Sequence, residues 1–141
     1  MKSLILAASI GLVVAGVASE AVAACAVSGN VTAVTGAALR TLLSGKTVCV
    51  KASGGGWEWQ EEHIAGGTLR DYKKGPNDKI DPSEVVGTWN VDRSGNVVHS
   101  YTGAPPFSYA VFNNGDGTHS FCGGGKDIVA KIQNGTGAAC F

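Results

Sequence analysis

The chain has 141 residues, 11 Lys and Arg against 11 Asp and Glu, and 44% hydrophobic content. A formal charge of zero gives no electrostatic footprint for nucleic acid or an anionic membrane surface. The length allows one modest core and excludes a second domain.

The N-terminal stretch MKSLILAASIGLVVAGVASEAVAAC carries one lysine, then an uncharged, mostly apolar run from Leu4 to Ala18, then small residues. That order predicts a secretory signal peptide over 1–23, cut after Ala23, with a single β-domain over 24–141. The apolar run falls short of the ~20 residues that a bilayer-spanning helix needs, and Glu20 closes it, so no transmembrane segment is expected. Losing Lys2 and Glu20 leaves the charge near zero. Val22-Ala23-Ala24-Cys25 also resembles a bacterial lipobox, which would place a lipid anchor on Cys25. Lipidation would leave three cysteines, an odd number for an oxidising compartment, and weighs against that alternative.

Ala26 to Val34 is apolar without a pattern and receives no assignment. Thr35 is placed to cap a short helix through Leu43, with Ala38, Leu39, Leu42 and Leu43 on one side and Gly45 just past its end. Turn signals then recur every 8 to 12 residues or so, among the 21 glycines and four prolines. Between them lie eight predicted strands: Thr47 to Lys51, Trp57 to Ile64, Thr68 to Lys73, Val85 to Asp92, Val97 to Thr102, Phe107 to Asn113, Thr118 to Cys122 and Asp127 to Gln133. Eight short strands in meander order predict an all-β, antiparallel, up-and-down barrel, because closure removes the edges that would pair with other chains. A two-sheet sandwich is the alternative.

Four cysteines remain in the domain, Cys25, Cys49, Cys122 and Cys140, with no C-x-x-C pair to support zinc or a redox motif. Four cysteines allow three pairings. Short loops favour Cys25 with Cys49 and Cys122 with Cys140, each worth about 3 kcal/mol in the chain-entropy model.

The stretch GGGWEWQEEHIAGG, residues 54 to 67, concentrates the side chains closest to chemistry. In an extended strand Trp57, Trp59, Glu61 and His63 share one face, while Glu58, Gln60, Glu62 and Ile64 share a mostly solvent-like other face. The pattern reads as a half-buried strand whose last residues reach a rim. A zinc-protease motif fails because Trp59 stands where its first histidine would be, so exposed carboxylates beside a surface histidine are expected rather than a metal site. Glu61 and His63, about 7 Å apart at Cα in a strand, can form an acid/base pair. Neither a Gly-x-Ser-x-Gly elbow nor a free cysteine supplies a nucleophile, so catalysis has no specific support.

The same alternation puts Trp89, His99, Tyr101 and Tyr109 on inward positions of later strands. An interior of tryptophans, tyrosines and histidine is too polar for a sealed core, since indole N–H and phenol groups want partners. Either a ligand or water supplies them, or the groups satisfy one another. The loop from Lys74 to Glu84 holds Asn77, Asp78, Asp81 and Glu84, oxygen ligands of the kind calcium takes, but the spacing fits no EF-hand loop and two lysines compete. No cofactor is expected.

Val86 to Val91, VGTWNV, resembles the Gly-x-Trp strand of lipocalin-like and avidin-like barrels, where the tryptophan packs under the barrel floor. In those families the motif lies on the first strand; Gly87 and Trp89 fall on the fourth predicted one. The whole chain is also similar to small, exported, disulfide-bearing bacterial β-proteins, among them periplasmic inhibitors of lysozyme. The leader and the paired cysteines predict a periplasmic or secreted domain, and the aromatic, polar-tipped inward face predicts a binding role. The leading expectation is a non-enzymatic calyx that binds a small, partly apolar ligand through Trp57, Trp59, Trp89, Tyr101 and Tyr109, with Glu61, His63 and His99 for polar orientation. A protein-binding or inhibitor module using the Lys74 to Glu84 and Gly103 to Pro106 loops is the second reading, and a hydrolase centred on Glu61 and His63 the third.

Overall fold

A computed structural model describes residues 22–51, 57–71, 84–123, 125–137 and 140; for 57–59 it describes the backbone alone. Nine strands and one helix follow in the order β1 (Thr32–Val34), α1 (Gly36–Leu43), β2 (Lys46–Lys51), β3 (Trp57–Ile64), β4 (Thr68–Asp71), β5 (Glu84–Val91), β6 (Val97–Tyr101), β7 (Phe107–Asn113), β8 (His119–Gly123) and β9 (Ile128–Asn134). From β2 to β9 each strand pairs antiparallel with the next, and β9 returns to β2, so eight strands close into an up-and-down barrel. The sandwich alternative is set aside. Every predicted strand is present within two residues of its expected ends where both ends are described.

β1 has no counterpart in the sequence reading. β6 covers Phe107 to Tyr109 of β7 and then ends, leaving the lower half of that strand edge without a partner. Thr32, Ala33 and Val34 fill it, opposite Asn113, Phe112 and Val111. The pairing is long-range and three residues long, which is why no local pattern announced it.

α1 lies across the end of the barrel where β2 begins and β3 ends. Leu39 and Leu43 are fully buried in the core, while Ala38 is exposed and Leu42 half-buried. An eight-residue helix is marginal alone. Two buried leucines, at roughly 2 kcal/mol each, hold this one in place. Thr35 occupies the N-cap position with extended φ and ψ but makes no side-chain cap bond; Gly36 N–H instead donates to the Gly95 carbonyl at 3.4 Å. Gly45 turns the chain into β2 at φ +70°, and its N–H donates to the His63 carbonyl at 2.8 Å.

The disulfides are Cys25–Cys122 and Cys49–Cys140, with Cα atoms 5.7 and 5.9 Å apart. This corrects the short-loop pairing. Cys49 and Cys122 point outward from β2 and β8, and each bond pins a chain terminus over the outside of the barrel. The separations of 97 and 91 residues each correspond to about 4–5 kcal/mol in the chain-entropy model, more than the short loops would give. Cys25 is engaged in a disulfide, so its sulfur does not carry the lipid of the lipobox alternative.

The C-terminal strap explains a second correction. Gln60 and Glu62, read as solvent-facing, are buried on the outer wall. Cys140 N–H donates to Gln60 Oε1 at 2.5 Å, and Thr47 Oγ1 donates to the Gly135 carbonyl at 2.8 Å. Gly137 N–H donates to Glu62 Oε1, and Arg70 Nε lies 3.5 Å from Glu62 Oε2. A polar outer face thus becomes interior because fixed peptide donors engage Gln60 Oε1 and Glu62 Oε1 and one guanidinium balances the Glu62 charge. At the other terminus, Ala24 N–H donates to Ser120 Oγ at 2.8 Å.

Candidate functional site

The inward columns of β3, β4, β5, β6 and β7 build the site. Cross-strand register sets Glu61 opposite Asp71, His63 opposite Leu69, Gly87 opposite Tyr101, Trp89 opposite His99, and His99 opposite Phe107. Directly paired residues share a face. Gly87 is demanded by close approach: a Cβ there would meet the Ser100 carbonyl oxygen at 2.1 Å. A side chain at this place would drive β6 away and dismantle the register that delivers His99 and Tyr101.

The floor is filled by packed side chains. Trp89 is buried and its indole N–H donates to the Ile64 carbonyl at 3.0 Å. Its ring meets His63 edge-on at 5.2 Å between centroids, and His63 meets His99 at 4.9 Å. The two Nε2 atoms are 3.0 Å apart, so one imidazole donates and the other accepts. Burial pushes His63 down to about 3, with His99 as a second cause, and pushes His99 down to about 4. Both rings are therefore neutral over the physiological range.

Above them stands Glu61, 8% exposed. Tyr101 Oη donates to Glu61 Oε1. Glu61 Oε2 has no hydrogen-bond partner among the described residues and lies 3.6 Å from His99 Nδ1, beyond hydrogen-bond reach. With His99 neutral, that approach is not a salt bridge. Burial raises the Glu61 carboxyl to about 7; the Tyr101 bond opposes the rise and the neighbouring Asp71 carboxylate adds to it. Tyr101 and Tyr109 are in turn raised by burial first and by Glu61 second, so both remain phenols.

Exposure rises along the column, away from the helix. Tyr101, Phe107 and Tyr109 are half-buried, with Tyr101 and Phe107 edge-to-face at 5.8 Å and Tyr109 5.5 Å from His99. This end of the barrel carries the β2–β3, β4–β5, β6–β7 and β8–β9 connections. The side chains of Trp57 and Trp59, both assigned to the ligand-binding face, lie outside the described residues; register places Trp59 opposite Val50 and Trp57 opposite Lys51. The calcium and protein-binding readings of the Lys74 to Glu84 loop also lie outside them, apart from Glu84.

Six of the eight expected site residues, Glu61, His63, Trp89, His99, Tyr101 and Tyr109, converge on one inward face. Their depths differ from the expectation. His63 was to reach a rim beside exposed carboxylates, yet it is fully buried at the helix-covered end. Its Nε2 faces His99, and the carboxylate of Glu61 partners Tyr101 instead, so the expected Glu61–His63 dyad is not a hydrogen-bonded pair. Two neighbours were missed. Asp71 follows Leu69 by two residues on β4, and the register of the Ala65-Gly66-Gly67 hairpin would have set it against Glu61. Phe107 lies on the same odd-numbered face as Tyr109.

The cluster Cys25, Cys122 and Asp127 brings three ligand-type atoms together. Its two sulfurs are bonded to each other, so they are not thiolates and do not hold a metal. No protein family, curated protein or solved structure matches the chain. The Gly-x-Trp resemblance therefore stands on its residues alone, with Trp89 packed against the helix-covered floor.

Proposed function

We propose that this chain is an exported, non-catalytic β-barrel of the periplasm or exterior that takes a small, partly apolar molecule at the end of its barrel opposite the helix. One observation carries the reading. A half-exposed aromatic ring of Tyr101, Phe107 and Tyr109 stands above a buried carboxylate, one oxygen of which has no hydrogen-bond partner among the described residues, while below it His63 and His99 pair through Nε2 and the Trp89 indole donates to the Ile64 carbonyl. Preformed apolar walls with one or two aimed polar atoms are the ordinary make-up of a small-molecule site.

Export is supported by the leader-like N-terminus and by two disulfides, which persist in oxidising compartments. No helix among the described residues is long and apolar enough to cross a membrane. Processing before Ala24 would turn the backbone donor to Ser120 into the new amino terminus. The experiment is a screen of exported metabolites and lipids against the processed barrel, read by tryptophan fluorescence and thermal midpoint. Binding predicts a raised midpoint for a subset of compounds. Unchanged fluorescence and midpoint across the whole library would remove the proposal.

A further inference from the structure

The N-terminal arm begins in a directed chain of hydrogen bonds. Ala24 N–H donates to Ser120 Oγ at 2.8 Å, and Ser120 Oγ donates to Asn114 Oδ1 at 2.9 Å. Asn114 Nδ2 then donates to Thr118 Oγ1 at 2.8 Å, and Thr118 Oγ1 donates to Asp116 Oδ1 at 2.6 Å. Each donor points away from Ala24 and toward the carboxylate, so every bond polarises the next. Ser120 is fully buried and Ala24 half-buried, while Val22 is 88% exposed. The polypeptide therefore runs out into solvent within two residues of the nitrogen that starts the chain.

The rest of the arm grips the same β7–β8 hairpin. Cys25 is bonded to Cys122, a Cβ on Gly115 would lie 2.9 Å from Asn30 Cβ, and Thr32 to Val34 pair with β7. A peptide N–H supplies Ser120 with one neutral donor. An α-ammonium supplies the same bond with a full positive charge and keeps two N–H groups for water, which its half-buried place allows. The far end matches it, because the side-chain and backbone bonds from Thr118 hold the Asp116 carboxyl below its usual range and so anionic at neutral pH. The other titratable groups near this seat are Asp127, beside the Cys25 and Cys122 sulfurs, with Lys126 preceding it, and His119, which burial lowers and keeps neutral at pH 7. A start at Cys25, as lipobox processing requires, would delete the Ala24 nitrogen and take the donor from Ser120 Oγ.

Resting on the export reading above, we propose that Ser120 is a built-in binding site for the amino terminus made by cleavage between Ala23 and Ala24, and that this α-ammonium locks the N-terminal arm onto the β7–β8 hairpin. Hydrolysis breaks the C–N bond of the Ala23–Ala24 amide and consumes one water. The hydroxyl goes to the Ala23 carbonyl carbon and the hydrogen to the Ala24 nitrogen, which takes a further proton from solvent at neutral pH. Positive charge then stands at the head of a chain of donors that ends on a carboxylate. Processing finishes the fold as well as removing the leader.

N-terminal sequencing of the full chain exported by a secreting bacterial host should give Ala24 as the first residue. Two oxidised barrels released from a removable fusion, one beginning at Ala24 and one with a single extra glycine before it, then isolate the charge. A bond that favours the ammonium raises its pKa above the ~7.7–8.0 of a free terminus, so the added stability is full below that range and is lost as the pH climbs through the raised value. The Ala24 form should melt about 3 °C higher at pH 6, the gap should close toward pH 10, and Ser120→Ala should remove it. Export with any other first residue, equal midpoints at pH 6, or a gap that persists in Ser120→Ala would each overturn the proposal. The two wild-type forms decide it even if Ser120→Ala does not fold. A chain that the host retains uncleaved would remove the export reading and the proposal with it, whereas equal midpoints in a chain cut before Ala24 would leave export standing.

Discussion

Replacing Glu61 by Gln keeps the shape of the side chain and removes its titration, so the pair of proteins isolates one ionisation. In the folded barrel the carboxyl is raised from 4.5 to about 7. The folded state therefore holds a proton that the unfolded chain gives up between those values. A raised carboxyl pKa means stability is fully present below 4.5 and is lost as the pH climbs through 7. At 1.36 kcal/mol per pH unit, the loss amounts to about 3 kcal/mol. His63 and His99 act in the opposite sense: neutral when folded, protonated when unfolded below 6.5, they withdraw stability as the pH falls. Between 4.5 and 6.5 the two histidine contributions outweigh the single carboxyl. Wild-type stability should thus rise by roughly 1.4 kcal/mol per pH unit there, and that of Glu61→Gln by roughly 2.7. Urea unfolding followed by tryptophan fluorescence from pH 4.5 to 8 measures both curves. Parallel curves would mean that Glu61 titrates normally, and the buried setting given to it would be wrong.

Gly87→Ala forces a Cβ to 2.1 Å from the Ser100 carbonyl oxygen, and thermal unfolding should show a loss of about 3 kcal/mol or more, because backbone rather than a flexible side chain must yield. The double change Cys49→Ser with Cys140→Ser should cost about 2–5 kcal/mol, and hydrogen exchange should show lost protection at Gly137, whose N–H is held by Glu62. Non-reducing peptide mapping should recover Cys25 linked to Cys122 and Cys49 linked to Cys140; the short-loop pairs would refute the two-strap description. Trp89→Phe removes the bond from the indole to the Ile64 carbonyl and should destabilise by about 1–2 kcal/mol in chemical denaturation.

What could be read from the sequence was what period-two alternation and turn chemistry control. The bounds of β3 and β7 coincide with the runs read from Trp57 to Ile64 and from Phe107 to Asn113, because glycine or proline clusters delimit both. The inward set followed from the same alternation, which is why Glu61, His63, Trp89, His99, Tyr101 and Tyr109 meet. Alternation says which wall a residue belongs to and nothing about what lies over that wall. Gln60 and Glu62 alternate as an exposed face should, and only the strap tied by Cys140, 80 residues after Gln60, buries them. The disulfides failed for a related reason. Loop length favours the nearest partners, but closure of the barrel decides which outward cysteine each terminus can reach. Height along the barrel axis was equally hidden, because it depends on the stagger between strands, and it separates His63 on the floor from Tyr101 near the mouth.

That separation in height gives the interior its functional polarity. A barrel of eight strands has just enough room to be filled by its own side chains, and its lower half is filled: Leu39, Leu43, Leu69, Trp89, Val97, Val111 and Phe121 enclose the two histidines. The two Nε2 atoms there pair with each other and the Trp89 indole with the Ile64 carbonyl, which leaves His63 Nδ1 without a partner among the described residues. One layer higher, stability alone would have placed an apolar side chain opposite Val48. The chain carries Glu61 instead, and Asp71 beside it, which makes matters worse for folding at neutral pH. A residue whose ionisation opposes folding, set beneath half-exposed rings with no lysine or arginine in ion-pair distance among the described residues, is held in place at a cost that the packing of the rest of the barrel must offset.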